Sequence, residues 1–131
     1  MSAPSILKGL FLFDGLVFFL VGVAALVYPS AKAAALPPEA GNTPHLRDTR
    51  RLLAAVYVAL GMFLLLFASG AADGPVLRDA GHLRGLSLLV MTGVNAAQLR
   101  GTNWKRGALV PYLIAFPLMT IAYELAAFAM G

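Results

Sequence analysis

The chain has 131 residues, of which 60% are hydrophobic and 12% charged, with a mean hydropathy of +0.79 and a formal net charge of +4. Soluble domains carry about 45–50% apolar and about 25% charged residues, so a water-soluble fold of this size would struggle to hide so much apolar surface. The lack of cysteine excludes disulfides, thiolate metal sites and a cysteine nucleophile, and the basic residues flank apolar runs instead of forming a nucleic-acid-binding stripe.

The first apolar segment covers about residues 5–28 and contains "GLFLFDGLVFFLVGVAALVYP". It is followed by "SAKAAA", an A-x-A-like pattern, but exceeds the roughly 7–15 apolar residues of a signal-peptide core, so it reads as a membrane span and not a cleaved leader. Asp14 falls inside it, on the helical face shared by Phe18, Gly22 and Ala25. Residues 29–46 hold Pro29, Pro37, Pro38, Gly41 and Pro44 and read as a loop, in which "SAKAAAL" is a candidate interfacial turn of helix.

The second segment, about residues 50–69, begins with the Arg50–Arg51 pair and continues as an apolar run. "GAADGP" from Gly70 to Pro75 reads as a tight turn. The third segment, about residues 78–99, is the least hydrophobic. Along it Ala80, Arg84, Ser87, Met91, Asn95 and Gln98 recur at spacings of three and four and keep one helical face. "GHLRG" within it is a small-xxx-small packing pattern. "RGTNWKRG" then reads as a short basic hairpin with Trp104 at the membrane interface. The fourth segment, about residues 107–130, carries Pro117, Thr120, Glu124 and Ala127 on one face, and Pro117 is expected to free a carbonyl and kink it.

Each segment has about 20 residues, enough at about 1.5 Å per residue to cross about 30 Å of hydrocarbon. Continuous apolar runs exclude transmembrane strands, which alternate. The expected fold is therefore all-α: a single integral-membrane domain forming an antiparallel four-helix transmembrane bundle. Lys32, Arg47, Arg50, Arg51, Arg100, Lys105 and Arg106 lie on one side and Lys8, Arg78 and Arg84 on the other. This bias places both termini outside the cytoplasm.

With four spans, Asp14, Glu124 and Arg84 enter from the same side, at depths of about 12, 9 and 8 Å. An uncompensated charge in hydrocarbon costs about 2.5–3.5 kcal/mol on insertion scales, so these three are expected to share an inward-facing layer. Asp14 is expected to pair with Arg84, with Glu124 close by and His82 near but facing the interface. Asp14, Arg84, Glu124, Ser87, Asn95 and Gln98 thus form a candidate intramembrane polar network. It has two readings: structural glue that sets helix register, or a ligand or proton site. Near the other side, Arg50, Arg51, Tyr57, Arg100 and Tyr112 make a candidate site for an anionic lipid headgroup, against the simpler reading of snorkelling arginines and an aromatic belt.

No Gly-rich phosphate loop is present, and His45 and His82 are assigned to opposite sides and cannot share a metal. No cofactor, metal or catalytic set is expected. The segment "HLRDTRRLLAAVYVALGMFLLLF", His45 to Phe67, resembles a recurrent pattern in small bacterial four-helix membrane proteins of the DoxX-like kind. The resemblance implies a compact four-helix bundle and a role beside a partner or a lipophilic ligand. The expected function is that of a non-catalytic accessory, assembly or lipophile-binding protein of the bacterial cytoplasmic membrane. Its partners would be membrane lipids, a lipophilic ligand, another membrane protein or further copies of the chain. Proton or small-solute transport through the Asp14/Arg84/Glu124 network is the alternative.

Overall fold

The computed structural model describes residues 2–27, 44–101 and 110–131; for residues 44–47, 50, 98–101 and 110–112 it describes the backbone alone. The described residues form four α-helices and no strand: α1 (Ala3–Val27), α2 (Pro44–Ala68), α3 (Gly74–Gly101) and α4 (Val110–Ala129). The long Pro-rich loop and the basic hairpin with Trp104 lie outside the described residues.

Local chemistry sets the helix ends. The Ser2 hydroxyl accepts from the Ser5 amide at 3.4 Å, the geometry of an N-cap, and Pro4 follows in the first turn, where no amide donor is needed. At the end of α2 the Ser69 amide donates to the Leu65 carbonyl at 3.0 Å and the Ser69 hydroxyl to the Leu66 carbonyl at 2.7 Å. The chain then turns at Gly70 and Gly74, whose φ angles of 89° and 57° are left-handed and disfavour a side chain. Pro44 and Pro75 both fall in the first turn of a helix. This is why α2 and α3 start earlier than the segments at about 50 and 78 drawn from hydrophobicity alone: proline suits a first turn, and hydrophobicity does not register polar opening turns. Pro117 leaves α4 unbroken, while the Thr120 hydroxyl donates back to the Phe116 carbonyl at 2.9 Å.

Among the described residues two helices are long and apolar enough to cross a membrane: Ala3–Val27, with a mean hydropathy of 2.6, and Arg51–Ala68, with 2.2. Leu113–Ala129 is a shorter apolar helix. Arg78, Asp79, His82, Arg84, Ser87 and Asn95 make α3 more polar than these helices. On every helix large apolar side chains stand exposed, among them Phe13 and Leu20 on α1, Leu52 and Met62 on α2, Leu83 and Val90 on α3, and Leu125 and Phe128 on α4. Among the described residues two charged side chains, Asp14 and Arg84, are buried.

The chain divides into two compact units, Phe11–Ser69 and the combination of Met1–Leu10 with Gly70–Gly131. In the first, α1 and α2 meet through glycine. A Cβ on Gly61 would fall 2.5 Å from the Phe19 amide nitrogen and 2.8 Å from the Gly15 carbonyl oxygen; one on Gly22 would fall 2.7 Å from the Val58 amide nitrogen and 2.8 Å from the Ala54 carbonyl oxygen. The backbones are thus in direct contact, as the absence of a side chain at these positions allows. Phe11 packs on Phe67 with ring centroids 5.3 Å apart, and Phe18 meets Tyr57 edge-on at 5.5 Å. Contacts that ascend α1 descend α2, so this pair is antiparallel.

In the second unit α3 packs along α4, again antiparallel: Gly81 lies against Ala127 and Gly85 against Glu124. Leu7, at the start of α1, also lies against Gly81 and is fully buried. Lys8 reaches Asp73 at 2.7 Å and ties the start of α1 to the turn before α3. Leu77, Leu88, Tyr123 and Ala127 complete the core of this unit.

Candidate functional site

Glu124 is the residue around which α3 and α4 organise their polar groups. Its Oε2 lies 2.6 Å from Nδ1 of His82, and both side chains are part-buried, at 29% exposure for His82 and 25% for Glu124. Its Oε1 is buried and has no hydrogen-bond partner among the described residues. The carboxyl group can lie this close to α3 because residue 85 is glycine: a Cβ there would collide with Oε1 and sit 3.1 Å from Cδ. The other face of the imidazole is held by Phe128, one turn along α4 from Glu124, with ring centroids 4.8 Å apart and planes at 74°. The spacing of four between Glu124 and Phe128 puts both on the α4 face that meets His82.

Arg84, two residues from His82 on α3, is buried. Its Nη1 donates to the Ser87 hydroxyl at 3.2 Å, and that hydroxyl donates in turn to the Arg84 carbonyl at 2.8 Å. Ser87 therefore completes its bonding on its own helix, one turn from Arg84, and Thr92 does the same by donating to the Leu88 carbonyl at 2.8 Å. Hydroxyls that bond back to the helix have little left to offer a neighbouring helix. Asn95 is half-buried further along the same stripe, whereas the Gln98 side chain lies outside the described residues.

Asp14 belongs to the other unit, where it is buried on the α1 face that carries Phe11, Phe18, Gly22 and Ala25. The expected periodicity of that face is thus observed. The residue bonded to Glu124 is His82, which the sequence puts near the network but facing the interface. Gly85 and Phe128 complete its surroundings. The Gly81/Gly85 packing pattern was visible in "GHLRG"; which side chain would occupy the space over Gly85 was not.

Of the candidate headgroup residues, Arg51 is exposed, and Tyr57 is half-buried with its ring against Phe18. The side chains of Arg50, Arg100 and Tyr112 lie outside the described residues. Among the described residues no group of three or more His, Asp or Glu side chains is arranged to hold a metal ion.

Chemically, the His82–Glu124 pair has a short hydrogen bond, one sequestered carboxyl oxygen and an imidazole edge that is not enclosed. It can hold a proton between two acceptors and present a second ring nitrogen to a ligand. Comparison with protein-family models, curated proteins and solved structures yields no match to this chain.

Proposed function

We propose that this chain is a small multi-pass integral-membrane protein of a bacterial cytoplasmic membrane, acting without catalysis as an accessory, assembly or lipophile-binding protein. The observation that supports this most directly is the inversion of its surface. Leu83, Val90, Leu125 and Phe128 stand 66–70% exposed on α3 and α4, while Asp14 and Arg84 are 4% and 6% exposed. Water penalises the exposed set and a bilayer does not. The resemblance of His45–Phe67 to DoxX-like proteins points the same way, as does the closeness of backbones at Gly15, Gly22 and Gly61.

The test is extraction of membranes with alkaline carbonate, followed by mass spectrometry of the detergent-purified protein. Retention in the pellet and a co-purifying lipid or quinone are the expected results. Release into the supernatant would end the membrane reading, and a purified protein free of any lipophile would leave only the accessory or assembly role.

Proton or small-solute transport is the second reading, favoured by one feature: an acid with a buried, unbonded oxygen hydrogen-bonded to a histidine. Proteoliposomes loaded with a pH-sensitive dye test it. Flux that disappears in Asp14→Asn or Glu124→Gln supports transport; an impermeable vesicle rules it out.

A further inference from the structure

We draw no further inference here: the strongest candidate, the cleft at the start of α3 lined by Gly74, Pro75, Arg78, Met130 and Gly131, carries none because its one charged side chain, Arg78, already bonds to Asp79 and to the Gly131 carbonyl, which leaves a helix N-terminus at which no second feature among the described residues points to a ligand.

Discussion

Gly85 and Glu124 occupy one space: the glutamate carboxyl group fills the volume that any side chain at position 85 would need, its Oε1 lying directly over the glycine. The polar pair between α3 and α4 therefore depends on an absent methyl group as much as on the two residues that form the hydrogen bond.

Gly85→Ala should displace the Glu124 side chain, which is flexible, and lengthen or break its bond to His82 without separating the helices. The expected cost is about 1–3 kcal/mol, the range for overpacking a filled site. Thermal unfolding in detergent measures it. Adding Glu124→Ala to Gly85→Ala should recover part of the loss, because the collision disappears with the carboxyl group. Strict additivity of the two substitutions would show that they do not share this space.

Gly61→Ala should cost more than Gly85→Ala. At Gly61 the obstacle is the α1 backbone, with the Phe19 amide nitrogen 2.5 Å from the new Cβ, and backbone cannot swing aside. The α1–α2 pair has to part along the Gly15–Gly22 face, at about 3 kcal/mol or more. Gly93→Ala is the control, since nothing lies within 4 Å of a Cβ there. It should be neutral, or stabilising by up to about 1 kcal/mol from helix propensity. The ranking of the three variants by unfolding temperature checks the assignment of close contacts.

His82→Phe should preserve the edge-on packing against Phe128 while leaving Glu124 with neither oxygen bonded. An orphaned buried acceptor costs about 1–3 kcal/mol, more than the loss of the hydrogen bond alone. The double variant His82→Phe with Glu124→Leu should be more stable than His82→Phe by most of that amount. Thermal unfolding of the two proteins side by side would show this; a double variant no better than the single one would mean that the carboxyl group is satisfied by another route.

Val90→Lys probes the surroundings of the chain directly. Val90 is 66% exposed near the middle of α3. On a protein in water this change is close to neutral. In a bilayer a central lysine costs about 2.5–3.5 kcal/mol on insertion scales. The expected outcome is reduced membrane incorporation, read as the carbonate-resistant fraction. Unchanged incorporation would count against α3 as a span.

Much of the architecture is local information and is legible along the chain. The apolar runs announce four helices because an apolar 20-residue stretch has few other solutions, and the spacing of Asp14, Phe18, Gly22 and Ala25 marks the inward face of α1 because helical periodicity is a property of neighbours. The placement of Arg84, Ser87 and Asn95 on one face of α3 is legible for the same reason. The partner of Glu124 was not. Estimated depth pairs Arg84 with Asp14, sets Glu124 close by and leaves His82 near but facing the interface, although Arg84 and His82 are only two residues apart. What separates them is the register of α4 against α3, set by how Gly81 seats Ala127 and how Gly85 admits the carboxyl group. Register is a sum of many small contacts between residues some forty positions apart, and no pattern within one helix records it.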